Sequence, residues 1–177
     1  VRRGEDGTNW YGKIGDSNPG FKFGFQNNFR YKDFRLFVQT NGQIGGSVYS
    51  NTNQLFYTSG DHPDVVQVGK SDETKKPVTY YNALAANNTL WLQNFVERGT
   101  YLNIAEVMFG YTIDAAKWRA LSRAGFSRMN IDLIGRNMRT LTGYTGLNVM
   151  NGSPTVRVDD TQYPLTRTLT GVVTLTF

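Results

Sequence analysis

Residues 21–44 read FKFGFQNNFRYKDFRLFVQTNGQI, and this stretch decides the fold. Strand side chains alternate between two faces. In the first half Phe21, Phe23, Phe25, Phe29 and Tyr31 share one face, and Lys22, Gly24, Gln26, Asn28 and Arg30 take the other. In the second half Phe34, Leu36, Val38 and Ile44 lie opposite Arg35, Gln39, Asn41 and Gln43, with Phe37 breaking the pattern. Lys32 and Asp33 between the halves read as a tight turn, so the stretch predicts a long hairpin of strands at about 20–31 and 34–45.

The same alternation recurs further along. TYLNIAEVMFGYTI predicts a strand at about 100–112, with Tyr101, Ala105, Val107, Phe109 and Tyr111 against Leu102, Ile104, Glu106, Met108 and Gly110. FSRMNIDLIGRN predicts another at about 126–137, with Met129, Ile131 and Leu133 opposite Arg128, Asn130 and Asp132. The last strand, about 165–177, carries Leu169, Gly171, Val173, Leu175 and Phe177 on one face. One short helix is expected in IDAAKWRALSRAG, with Asp114 as its N-cap and Gly125 as its stop.

Between the strands, long polar stretches (45–97 and 138–164) alternate with short turns. A structureless loop of such length is unusual inside a compact soluble domain. Long loops on one side and short turns on the other are the asymmetry of an outer-membrane barrel, whose strands need about 9–11 residues to cross. Alternation alone fits a soluble β-sandwich equally well. The long loops and the aromatic residue at the end of the last strand favour the barrel wall, with Phe177 on the short-turn side.

Composition narrows the chemistry. There is no Cys among the 177 residues, which excludes disulfides, thiolate metal sites and a Cys nucleophile. The net charge of +5 comes from singly scattered basic residues, so no nucleic-acid partner is expected. The opening VRRGEDGTNW lacks the apolar core of a signal peptide, and no apolar run approaches the roughly 20 residues of a membrane helix. His62, the only histidine, stands beside Asp61 and Asp64 in SGDHPD and reads as a solvated loop residue rather than a metal ligand. Asp132 reads as part of a charge network with Arg128 and Arg136. No nucleophile motif, phosphate cradle or cofactor motif appears, so neither an enzyme nor a bound cofactor is expected. The loop aromatics Phe56, Tyr57, Tyr80, Tyr81 and Trp91 are candidates for contact with a substrate or a covering partner. Tyr31, Phe34, Tyr111 and Phe126, beside the short turns, suit an interfacial girdle.

Four segments resemble the SusC/RagA family of TonB-linked outer-membrane transporters, in family order and spacing. GKIGDSNPGFKFGFQNNFRYKDFRLFVQTNGQIGG (12–46) is similar to the family's G-x-x-G-D-x-N-P-x-F-x-x-G-F segment with its following Y-K-x-F strand. NFVERGTYLNIAEVMFGYTI (94–113), IGRNMRTLTGYTG (134–146) and YPLTRTLTGVVTLTF (163–177) resemble later family segments. Two departures stand out. Asn103 occupies a position where the family strand usually has Arg, and GLNVM replaces an Asp-Pro-Glu continuation after Thr145.

The resemblance implies an all-β fold: about the last five strands of a barrel of roughly 22, with the plug and N-terminal strands absent from residues 1–177. An open wall of five strands would leave two unpaired edges, costly in lipid, which implies a fragment of a longer protein. The implied whole is an importer of oligosaccharides or peptides, working with a SusD-like lipoprotein and, through the missing N-terminal part, the TonB complex. It implies an outer-membrane location with the C-terminus periplasmic, and contact with outer-membrane lipid. Leu169, Gly171, Val173, Leu175 and Phe177 resemble the terminal signal read by the barrel-assembly machinery. Two other readings stand beside this one: a barrel fragment acting as a client of that machinery, and a soluble β-sandwich module that binds glycans.

Overall fold

A computed structural model describes residues 12–85, 89–152 and 156–177. The described residues form two compact units, each drawn from separated parts of the chain. Unit 2 comprises Phe21–Gln43, Tyr101–Thr142 and Leu165–Phe177; unit 1 comprises Val1–Gly20, Ile44–Thr100 and Gly143–Pro164.

Unit 2 is built on a five-stranded sheet. Its strands are β1 (Pro19–Tyr31), β2 (Phe34–Gly45), β5 (Tyr101–Asp114), β6 (Arg128–Thr142) and β8 (Thr168–Thr176), in the spatial order β1-β2-β5-β6-β8. The pairings β2–β5, β5–β6 and β6–β8 are antiparallel. Residues directly opposite one another share a face, so the register sorts the side chains. Phe34–Tyr111–Ile131–Val173, Leu36–Phe109–Leu133–Gly171 and Val38–Val107–Gly135–Leu169 form three apolar rows. Arg35–Gly110–Asp132–Val172 and Gln39–Glu106–Arg136–Thr168 lie on the opposite face. Phe37, which broke the alternation, lies in register with Met108, Ile134 and Thr170 as an apolar island on the polar side.

The apolar face is exposed rather than covered. Phe25 is 60% exposed, Leu133 49% and Val173 62%. An apolar surface of this extent marks an interface with a protein or a membrane.

A β-bulge corrects the expected facing at the start of β5. Ile104 pairs with Thr40 while Glu106 pairs with Gln39, so Ala105 is an extra residue relative to β2. On the other flank Ile104 pairs with Arg139 and Glu106 with Arg136, leaving Asn137 and Met138 opposite Ala105. Asn137 takes a left-handed φ of 51° there. The extra residue resets the alternation. Leu102 and Ile104 therefore fall on the apolar face, and Tyr101 joins the polar one with Asn103. Strict alternation had assigned them the other way.

Unit 1 carries the buried core, including Val48, Leu84, Phe95, Tyr144 and Val149. Its elements are β3 (Ser47–Ser50), α1 (Asn51–Ser59), a 3-10 turn (Pro63–Val65), α2 (Val78–Ala85), a second 3-10 segment (Thr89–Phe95), β4 (Val96–Arg98) and β7 (Val158–Asp159). The strand β3 pairs antiparallel with β4 and parallel with β7. The stretch read as a long polar loop is therefore folded. Its signals are caps rather than periodicity. The Ser50 side chain accepts from Asn53 N–H at the start of α1, and Gly60 ends it at φ 82° with its N–H returned to Phe56 and Tyr57 carbonyls.

The helix expected at 113–125 shrinks to α3 (Arg119–Arg123). Asp114 is the last residue of β5 rather than its cap, and Trp118 occupies the cap position without a side-chain hydrogen bond. Asp114 is held in the sheet by its register pair with Arg128.

Candidate functional site

The polar face of the sheet is a lattice of cross-strand ion pairs. Arg35 Nη2 donates to Asp132 Oδ1 at 2.9 Å, Arg136 Nε to Glu106 at 2.8 Å, and Arg128 Nε to Asp114 at 2.9 Å. The network expected along one strand, with Asp132 between Arg128 and Arg136, is thus replaced by pairs across strands: Arg136 and Arg128 of β6 meet Glu106 and Asp114 of the neighbouring β5, and Arg35 of β2 reaches Asp132 of β6 over Gly110 of β5. Strand geometry explains the change: the directly opposite residues of β5 and β6 lie far closer than residues four positions apart on one strand. Gly110 makes the first pair possible. A Cβ there would lie 2.3 Å from the Asp132 carboxylate and 3.2 Å from Arg35 Nε. Such a face suits water, while the face behind it suits hydrocarbon.

Aromatic rings gather at the short-turn end. Phe34 packs on Tyr111 at 4.6 Å and Phe109 at 5.7 Å between ring centres, and Phe126 packs on Phe177 at 5.0 Å. Ser127 N–H and its hydroxyl both donate to the Thr176 carbonyl, at 2.7 and 3.1 Å. These contacts fasten the end of β8 to β6. Along β8, Leu169, Gly171, Val173 and Leu175 lie opposite Gly135, Leu133, Ile131 and Met129, on the apolar face.

In unit 1, Asp64 ties a long polar segment to itself. Its carboxylate accepts from Lys70 at 2.8 Å and from Lys76 at 3.0 Å, and its carbonyl accepts from the Tyr81 hydroxyl at 2.7 Å. Hydrogen bonds from the two lysines hold its carboxyl well below the usual carboxylate range. Tyr57 stacks on His62 with ring centres 3.9 Å apart and packs on Phe95 at 5.9 Å. Burial, then the Asp64 charge, pushes its hydroxyl pKa up to about 12. Tyr81 is buried and Tyr80 meets it edge-on at 5.2 Å, while Phe56 is exposed. The candidate aromatics thus divide: Tyr57 and Tyr81 help build the unit, whereas Phe56 offers surface. The side chain of Trp91 lies outside the described residues.

His62 is not a solvated loop residue. Its Nδ1 accepts from Asp64 N–H at 3.1 Å, capping the 3-10 turn, and its ring is half-buried against Tyr57. Solvation lost to that packing is the reason. Among the described residues no group of three or more His, Cys, Asp or Glu could hold a metal ion. Burial lowers the His62 pKa; the Lys70 and Lys76 charges add to this and Asp64 opposes it. The unfolded chain therefore protonates His62 first. Its contribution is complete above the ordinary value of about 6.5 and is lost as pH falls below it towards the lower folded value. Hydrogen exchange, corrected for intrinsic rates, is expected to speed up across residues 57–81 between pH 7.5 and 5.5. The change should vanish in His62→Phe, and a flat wild-type profile would contradict the cap.

A second polar centre lies at Asp159, which is fully buried. Its Oδ2 accepts from the Tyr144 hydroxyl and Leu147 N–H, both at 2.8 Å, and from Asn148 N–H at 3.3 Å. Its Oδ1 accepts from Asn151 Nδ2 at 3.3 Å and from the Thr52 hydroxyl at 3.4 Å. Glu97 joins two loops nearby, accepting from Thr145 N–H and hydroxyl at 2.8 and 2.6 Å and from Asn53 at 3.3 Å. Sequence reading missed Asp159. Its only signal was an acid placed 13 residues beyond a Gly-Tyr-Thr-Gly loop.

A sheet with one exposed apolar face, one ion-paired face and an aromatic rim is a piece of a transmembrane β-barrel wall. The comparisons give that class a kind: the chain resembles TonB-dependent transporters of the SusC/RagA type. It is 26% identical over 169 residues to TonB-dependent receptor P3 of Formosa agariphila, covering 89% of this chain and 16% of that protein. In fold it matches the RagAB peptide importer in its closed-closed state with a TM-score of 0.71 at 17% identity, covering 99% of this chain and 20% of that one. The open-open state gives a TM-score of 0.60 at 16% identity, over 91% and 17% of the two chains. The chain therefore spans about a fifth or less of the proteins it matches. Those proteins are a receptor and an importer, not enzymes. No family model matches the chain.

Proposed function

We propose that this chain forms the C-terminal barrel wall of an outer-membrane, TonB-dependent importer. The observation that carries the reading is the five-stranded sheet with an exposed apolar face and an ion-paired polar face, in a chain whose whole length follows a known importer's fold. The complete protein would take up oligosaccharides or peptides, receive energy through TonB, and work with a SusD-like lipoprotein. Of the loop aromatics Phe56, Tyr57, Tyr80, Tyr81 and Trp91, the exposed Phe56 would contact substrate or that lipoprotein, while Tyr57 and Tyr81 are committed to packing within the unit.

The long connections would lie outside the cell and the short turns in the periplasm. Single cysteines at Lys75 and Lys32 test this in intact cells, because residues 1–177 contain no native Cys. An impermeant thiol reagent is expected to label position 75 and spare position 32 until the outer membrane is opened. The reverse pattern would invert the topology.

A second reading concerns the last strand alone. Leu169, Gly171, Val173, Leu175 and Phe177 would present the face read by the barrel-assembly machinery, an edge strand adding to another sheet by main-chain hydrogen bonds. The contact between Phe126 and Phe177 supports a competing role, completion of the aromatic rim. Phe177→Ala in the full-length protein separates them. A slower assembly rate with an unchanged heat-resistant fraction supports recognition. Normal assembly with a smaller heat-resistant fraction leaves only the rim.

A further inference from the structure

The geometry points to a binding site for anionic phospholipid headgroups at the short-turn end of the sheet, formed by Arg119, Arg123 and Lys32 around Trp118. Charge is the first observation. Residues 30–34 and 114–128, the two connections with the strand ends that flank them, hold six Lys or Arg and two Asp, a net +4. Both acids are already engaged: Asp114 accepts from Arg128 at 2.9 Å, and Asp33 accepts from Lys117. Arg119 and Arg123 are exposed and have no acidic partner among the described residues.

Placement is the second observation. The ion pair between Lys117 and Asp33 joins the two connections, so Lys32 and α3 are held as neighbours. Thr112 N–H donates to the Asp33 carbonyl at 2.9 Å, and the carbonyl of Leu121, the buried residue of α3, accepts from Phe126 N–H at 3.1 Å. These contacts fix the cations relative to the end of the sheet. Lys32 Nζ stands 5.3 Å from the Tyr31 ring centre.

The surrounding rings choose the ligand. Trp118 is 48% exposed and Tyr31 71%, beside the cations. The apolar rows begin immediately beyond them with Ile113, Met129 and Leu175. Trp and Tyr at such a boundary sit at headgroup level, with their rings towards the acyl chains. A free phosphate would use the cations and leave the rings without a role; a headgroup with its acyl chains uses both. Each Lys or Arg near an anionic leaflet adds about fivefold in affinity.

This site rests on the barrel-wall reading, and the test separates the two. The full-length transporter is purified in phosphatidylcholine micelles and its thermal unfolding followed while phosphatidylglycerol is titrated in. Wild type is expected to gain stability at low phosphatidylglycerol fractions. Arg119→Gln with Arg123→Gln is expected to need roughly 25-fold more, and Arg119→Lys with Arg123→Lys to match wild type. Should the double glutamine variant give no heat-modifiable band, Arg119→Gln alone carries the comparison with a single fivefold step. Equal responses of wild type and glutamine variants would overturn the site. So would equal protection by soluble glycerol 3-phosphate, which would leave a phosphate site without lipid. A full-length protein that needs no detergent and shows no heat-modifiable band would sink the barrel reading instead.

Discussion

Leu133→Arg in the full-length protein is expected to abolish most of the membrane-inserted, heat-modifiable form, while Asp132→Asn leaves it nearly intact. The two residues are adjacent in β6 and face opposite ways. Leu133 lies in the apolar row with Leu36, Phe109 and Gly171 and is 49% exposed. An Arg facing lipid near the midplane costs about 2–4 kcal/mol. Asp132 lies over Gly110 and accepts from Arg35 at 2.9 Å. Asn retains an acceptor for that guanidinium, and a partly exposed pair contributes about 1 kcal/mol or less. Quantifying the folded band on an unheated gel against outer-membrane protein recovered tests the contrast. Equal tolerance of both changes would refute the assignment of faces.

Asp159→Ala is expected to unfold unit 1 while the sheet survives. The buried carboxylate satisfies the Tyr144 hydroxyl, two backbone N–H groups, Asn151 and Thr52. Removing it takes the buried acceptor from the Leu147 and Asn148 N–H groups and from Asn151, while Thr52 keeps the Asp159 carbonyl, at a cost of about 3–5 kcal/mol in total. Asp159→Asn is expected to be nearly as damaging, because any orientation of the amide turns an NH2 towards a donor. Burial raises the Tyr144 pKa, and so does its hydrogen bond to Asp159, while a hydrogen bond with Ser50 opposes the rise; the variant takes away the Asp159 acceptor and leaves the ring buried. Limited proteolysis should then cut within 45–100 and 143–164 and spare the strands. Resistance equal to wild type would show that the network contributes little.

The strands were legible because a two-faced sheet writes its period directly into the sequence. Phe34, Leu36 and Val38 against Arg35 and Gln39 needed no structure to sort them. The bulge at Ala105 was not legible. One extra residue shifts the phase without changing composition, and Leu102 and Ile104 are as apolar as the residues whose face they join. Unit 1 was hidden for another reason. Its helices α1 and α2 are short, and its core is assembled from remote segments, so no local window contains the pattern. The Asp64 clasp was half visible: Lys70 and Lys76 stood in the same polar run, but nothing in their spacing showed that both turn back to one carboxylate. His62 was misread because a lone histidine in a polar run gives no sign of the ring stacked against it.

The composition of unit 1 from distant segments has a consequence for the order of folding. Thr52 and Asp159 are 107 residues apart in sequence, and Thr161 N–H reaches the Thr52 hydroxyl across 109. The chain between them includes β5 and β6. Closing so long a loop in a free chain is entropically costly and slow. Once β2, β5, β6 and β8 have zipped into register, the loop has already been closed by the sheet, and 45–100 and 143–164 are delivered together. Closure of unit 1 is therefore expected to depend on correct strand register: a strand paired out of register would bring Asp159 to the wrong place, and 45–100 and 143–164 would stay open to proteases.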